Sequence, residues 1–209
     1  MLQKLYNQGW YMKLLMAALA ASCLLSFNLQ AKDVVDASTN ESFPSQVSFD
    51  HDGKSYNLDI TGTSVRKKLI VTVYTIASYV QDAGKLAGDK FSDILNDSRA
   101  KQLTMKWARD IEAEKIIEGY RESIKSVLTD EQIRANQADV DKYFAAFNHN
   151  VKKGDVTDIR YAPGGYVEVL HNGSKTGDFT NPTVAQAIFK IWYGDKSVVD
   201  RNKLVSLVK

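Results

Sequence analysis

The chain has 209 residues but only one cysteine, three prolines and three histidines. Each scarcity excludes something. A single cysteine closes no internal disulfide, so the fold must be held by its core. His51, His149 and His171 stand far apart in sequence, with no Cys or carboxylate at ligand spacing, so no zinc pattern is present. No glycine-rich loop opens a helix after a strand, and no serine occupies a nucleophile elbow. Gly164-Gly165 follows Pro163 and reads as a turn. Excess charge is also missing. Without Lys4 and Lys13, the 27 basic residues become 25, level with the 25 acidic ones. Nucleic acid is therefore not an expected partner, and nothing calls for a metal or cofactor.

What is present begins with a leader. From Met12 the chain reads MKLLMAALAASCLLSFNLQAKD: one Lys, an apolar run over residues 14–27, then Ala31 before Lys32. This describes a secretory signal peptide cleaved after Ala31. The run is short of the roughly 20 residues that span a bilayer, so no membrane span is expected after cleavage. Residues 1–11 read as an extension ahead of the true start. Cys23 has Ala20, not Leu, three residues before it, so a lipid anchor there is not expected. The organisation expected is leader and extension over 1–31 and one domain over 32–209, located in the periplasm.

The remainder alternates between two periods. Residues 32–45 read as a loose lead-in, then 46–49 and 54–60 as strands about an Asp52-Gly53 hairpin turn. Thr61-Gly62-Thr63-Ser64 interrupts that pattern. A short helix is expected around Phe91, Ile94 and Leu95, and a strand over 102–109. Ile111, Ile116, Ile117, Tyr120, Ile124, Val127 and Leu128 then form one helical stripe with Asp110 as cap. A capping box at Thr129 to Gln132 opens a second helix carrying Ile133, Val140, Phe144, Phe147 and Val151, stopped by Gly154. Strands over 155–161 and 166–170, and a third ending near Asp178, precede a helix capped by Asn181-Pro182 and ended at Gly194. A last helix is expected over 201–208. Hairpin-linked strands with grouped helices predict an α+β fold with an antiparallel sheet and helices over one face.

Residues 62–80, GTSVRKKLIVTVYTIASYV, form the longest β-favouring run. Alternation places Val65, Leu69, Val71 and Val73 on one face, with Lys67 the exception, and Arg66, Lys68, Ile70, Thr72 and Tyr74 on the other. The first face is expected to be core and the second to meet a ligand. Two readings of Arg66 stand side by side. It is either a solvated edge charge with Lys67 and Lys68, or a guanidinium clamping a carboxylate or phenolate at a pocket mouth. Tyr74 and Tyr79 could add hydroxyl donors. Eight residues of straight strand span about 26 Å, which separates Arg66 from Tyr74 unless the chain bends between them. Trp107 and Trp192 fall on apolar faces, and Tyr120 lies on the helical stripe.

Gly62-Thr63-Ser64-Val65-Arg66, followed by Val73-Tyr74-Thr75-Ile76-Ala77-Ser78-Tyr79-Val80, resembles the chalcone isomerase superfamily pattern of Gly-x-Gly-x-Arg and then Val-Tyr-x-x-Gly-x-Tyr. The Met- and Trp-containing strand before a helix, and the segments at 147–155, 161–165 and 191–195, resemble the exported bacterial branch in the same order. The resemblance covers about residues 47–207. It implies an open-faced β-sandwich: a large antiparallel sheet with a layer of helices on one face and an apolar pocket between. Some members are isomerases closing a flavanone ring, and others bind fatty acids. In both, the motif Arg, here Arg66, meets the ligand's anionic oxygen. The ligand-binding set implied is Arg66, Tyr74, Tyr79, Trp107 and Tyr120. A Tyr at position 74 is similar to the fatty-acid binders, where the plant enzymes carry Thr. Ser64 and Ser78 replace motif glycines, and Glu112-Ala113-Glu114-Lys115 stands where the enzymes place a catalytic Tyr. The expected function is thus binding of a small apolar anion such as a fatty acid. The alternatives are an intramolecular lyase acting on a chalcone-like phenol, with Arg66 as its electrostatic group, and an interaction module without a ligand.

Overall fold

The structure is a computed structural model that describes residues 33–86 and 88–208. The expected leader, its expected cleavage after residue 31 and Cys23 lie outside the described residues. Alternating residues build a sheet whose strands follow chain order. After a two-stranded ladder of β1 (Val34–Val35) and β2 (Ser42–Phe43) come β3 (Gln46–His51), β4 (Lys54–Lys68), β5 (Val71–Val80), β6 (Lys101–Trp107), β7 (Val156–Ala162), β8 (Tyr166–His171) and β9 (Ser174–Thr180). These seven pair in the order β3-β4-β5-β6-β7-β8-β9, every neighbour antiparallel. The helices are α1 (Lys90–Leu95), α2 (Ala113–Val127), α3 (Asp130–Ala135), α4 (Gln137–Ala145) and α5 (Pro182–Tyr193), with a 3-10 turn at Lys203–Val205. Among the described residues, no helix is long and apolar enough to cross a membrane.

The main core joins one sheet face to the helices. Ile76, Leu103, Met105, Ile159 and Val169 pack with Ile116, Tyr120, Ile124, Val140, Phe147, Ile188 and Trp192. This is the α+β antiparallel sheet with helices over one face expected from the pattern, and the open-faced sandwich implied by the resemblance. The opposite face carries a smaller cluster of Phe43, Phe49, Tyr56, Leu58, Ala77 and Tyr79. The lead-in segment supplies part of it and is not loose. The buried Asp36 carboxylate accepts bonds from the backbone N–H and hydroxyl groups of Ser38 and Thr39, which knots residues 36–39 into a turn.

Several boundaries move. The residue capping α2 is Glu112, while Asp110 accepts from the Lys153 N–H and ties two loops together. The second helix breaks at Asn136 (φ −120°, ψ 20°) into α3 and α4 and ends at Ala145, well before Gly154. Val151 leaves the helix to pair with Ile111, and Gly154 (φ 92°) makes the turn before β7. The final helix shrinks to the turn at Lys203–Val205.

The largest correction concerns residues 54–80. The break at residues 61–64 is not a strand end. β4 runs through it with a bulge between Ile60 and Gly62, where Thr61 is the extra residue. The run 62–80 is in turn not one strand. It folds at Leu69-Ile70 into the β4–β5 hairpin, so Leu69 and Val71 are exposed instead of core, and Ile70 is exposed instead of meeting a ligand. The bulge is held from outside the sheet. Thr61 Oγ1 bonds Ser78 Oγ and donates to the Leu204 carbonyl, and its own carbonyl accepts from Leu207 N–H. A Cβ at Gly62 would overlap the Lys203 carbonyl oxygen and lie 2.9 Å from that of Leu204. Gly62→Ala is therefore expected to destabilise the fold by about 1–3 kcal/mol, the usual range for overpacking against backbone. Urea unfolding would show it as a lower midpoint at unchanged slope.

Candidate functional site

Side chains on a strand alternate, so one extra residue exchanges its faces. Before Thr61, the even-numbered residues of β4 (Tyr56, Leu58 and Ile60) belong to the smaller cluster. After it, the even positions 62, 64 and 66 turn toward the helices. Arg66 pairs directly with Tyr74 across the hairpin, and Tyr74 with Trp107 on β6. Three residues that sequence spacing separated thus form one rung. The 26 Å separation is overturned by the turn at Leu69-Ile70.

Arg66 Nη1 donates to the Val198 carbonyl at 2.7 Å, and no ion pair to Arg66 occurs among the described residues. The acceptor is itself fixed, because Val198 N–H donates to the carbonyl of Ile191 near the end of α5. Tyr74 meets Trp107 edge to face at 5.4 Å and accepts from Trp192 Nε1 at 3.0 Å. Trp107 Nε1 donates to Thr157 Oγ1. Deeper in, the Tyr120 hydroxyl faces Met105 Sδ at 3.6 Å, and its ring contacts Phe147, Tyr143 and Trp192. The Tyr143 hydroxyl is buried with no hydrogen-bond partner among the described residues.

Burial pushes the Tyr74 phenol up to about 12, although the Trp192 bond and the Arg66 charge pull the other way. Burial likewise raises Tyr120 and Tyr143 far above the ordinary phenol range. All three are neutral hydroxyls at physiological pH. The site therefore offers one guanidinium and a set of neutral phenols, with no carboxylate bonded to Arg66. That chemistry suits holding an anionic oxygen at the end of an apolar body.

Of the five residues expected at the site, Arg66, Tyr74, Trp107 and Tyr120 lie on the helix-facing side. Tyr79 does not. Its parity on β5 puts it in the opposite cluster, where its hydroxyl donates to the Pro44 carbonyl. Trp192 reads as core in the sequence, yet it supplies the bond to Tyr74. A buried indole N–H needs a partner, which is the signal that could have marked it. Tyr143 stands three residues after Val140 and four before Phe147, so the helical stripe could have included it. Removing its unpaired hydroxyl as Tyr143→Phe should stabilise the protein by about 1 kcal/mol, read by urea unfolding.

Two surface cavities, of about 210 and 200 Å³, lie away from Arg66. The larger is lined by Lys101, Asp97, Tyr161 and Phe189 among others. Lys101 is 2% exposed, donates to the carbonyls of Ile94 and Asn96, and sits 4.2 Å from the Tyr161 ring centroid. Burial brings its ammonium down to about 7, partly offset by Asp97. Between pH 7 and the ordinary lysine value of about 10.4, the unfolded chain holds a proton that the folded chain has lost. Stability relative to Lys101→Met should thus climb across that window, by an amount on the order of a few kcal/mol, and be flat below it. Urea unfolding of both proteins from pH 6 to 10 measures the difference.

Comparison with known proteins comes down on the same architecture. A family model described as chalcone isomerase-like matches residues 38–204. A crystal structure of an Arabidopsis thaliana fatty-acid binding protein superposes with a TM-score of 0.70 at 17% sequence identity, covering 84% of this chain and 95% of that one. At that identity the likeness is one of fold. No curated protein matches the chain by sequence.

Proposed function

The chain belongs to the chalcone isomerase-like family, and from that premise we propose that it binds a small apolar anion, such as a fatty acid, between sheet and helices. We further propose that it does so in the periplasm, exported on the leader at residues 12–31. The observation that carries the binding reading is the register pairing of Arg66 with Tyr74 on the helix-facing side. Arg66 spends one N–H on Val198, and its remaining donors make no hydrogen bond among the described residues. Tyr74 accepts from Trp192 and donates to nothing described, so its O–H is free to reach the same anion. The fold likeness to a fatty-acid binding protein supports the apolar half of the ligand.

Burial of the acyl chain would supply about 0.8 kcal/mol per methylene, and the charge pair would set its orientation. Neither surface cavity reaches the roughly 300 Å³ at which ligand pockets begin. An acyl chain seated between sheet and helices would enter a buried aromatic interior, displacing contacts such as Tyr120 on Phe147. That same filled interior favours a second reading, an interaction module with no ligand.

Native mass spectrometry of protein purified without detergent separates the two. Binding predicts adducts of C12–C18 acids, and Arg66→Met should weaken them at least tenfold, the equivalent of one lost charge-assisted bond. An apo mass unmoved by added acids would sink the ligand reading and leave the module.

A further inference from the structure

The β4–β5 hairpin ends in the most exposed apolar residues described. Leu69 and Ile70 are 94% and 93% exposed, and Val71, next in sequence, is 42% exposed. Scattered apolar residues on a surface need no explanation, but a consecutive run does. The turn chemistry is also wrong for a solvated loop. Leu69 holds φ at 57°, a left-handed conformation for which two-residue hairpins favour Asn, Asp or Gly. A branched apolar side chain is thus kept, at a cost in backbone strain, where it gains no internal packing.

The tip also projects. β6 pairs with β5 only from Tyr74 onward, and its last backbone link is from Ala108 N–H to the Val73 carbonyl. Residues 70–72 extend past it, a reach of about 10 Å at strand rise. At the base of the tip Lys67 and Lys68 are both exposed, and neither forms an ion pair among the described residues. Arg109 is exposed beside Ala108, as is Asp110.

We propose that this hairpin tip docks on an anionic bilayer surface: Leu69, Ile70 and Val71 enter the headgroup–acyl boundary, and Lys67 and Lys68 lie against the lipid phosphates. The projection matches the 5–10 Å to which surface-bound apolar groups sink. A second copy of the chain fits less well. Two tips would bring four lysines together, over an area far below the roughly 1,000 Å² a stable interface needs. The docking is independent of the ligand reading.

The test uses the full chain carrying Cys23→Ser and a single environment-sensitive fluorophore, placed on Ile70→Cys or, at the far end of the same strand, on Lys54→Cys. Residues 1–32 are common to every sample, so the local probe is the readout. Vesicles of phosphatidylcholine with phosphatidylglycerol should shift the emission at position 70 to shorter wavelength and leave position 54 unchanged. Lys67→Gln with Lys68→Gln should weaken that response about 25-fold at low salt. The proposal is overturned by no shift at position 70, by equal shifts at both positions, or by the same response on pure phosphatidylcholine. It is also overturned by a concentration-dependent shift without vesicles, which would assign the tip to a second copy.

Discussion

A strand's two-residue period fixes which residues meet each face of the sheet, and β4 resets that period at Thr61. Even-numbered residues before the bulge face the smaller cluster with Tyr79 and Phe43, and even-numbered residues after it face the helices. The break is held in place by a backbone-to-backbone contact that only glycine permits at position 62, and by hydrogen bonds from Thr61 to the C-terminal segment. Closure of residues 203–207 over the edge of β4 holds this bulge, while the hairpin register sets Arg66 opposite Tyr74.

The rung that results is a compromise between packing and polarity. Tyr74, Trp107, Tyr120, Tyr143 and Trp192 fill the interior as apolar bodies, but each carries a donor that burial makes costly to leave alone. Trp192 and Trp107 resolve this by bonding Tyr74 and Thr157, and Tyr120 by facing the Met105 sulfur. Tyr143 does not resolve it. An interior of neutral phenols beside a cation that lacks a carboxylate partner is consistent with an anionic ligand, and equally with a core that has settled for one unsatisfied hydroxyl. The family supplies the fold common to both outcomes. The same hairpin carries Arg66 at its base and Leu69-Ile70 at its tip, so the β4–β5 ladder, irregular between Arg66 and Lys67, joins the proposed site to the proposed membrane contact.

Much of this architecture was legible in the residues. The capping box at Thr129, the Asn181-Pro182 start of α5 and the Asp52-Gly53 turn all appear where local chemistry places them, because each involves groups within a few residues of one another. The failures share an opposite cause. Asp110 is a good cap in isolation, yet its carboxylate is taken by Lys153, 43 residues away. Leu69-Ile70 lacks the residues that announce a turn, so the hairpin was invisible to turn chemistry and read as continuous strand. Tyr79 has the right composition for a site but the wrong parity.

By itself, the sequence determined the fold class and the order of most of its elements, because periodicity and caps act over short stretches of chain. Tertiary structure alone decided what stands beside Arg66. The bulge at Thr61 and the turn at Leu69 owe their existence to contacts with residues 200–207 and across β5, and no local pattern carries that information.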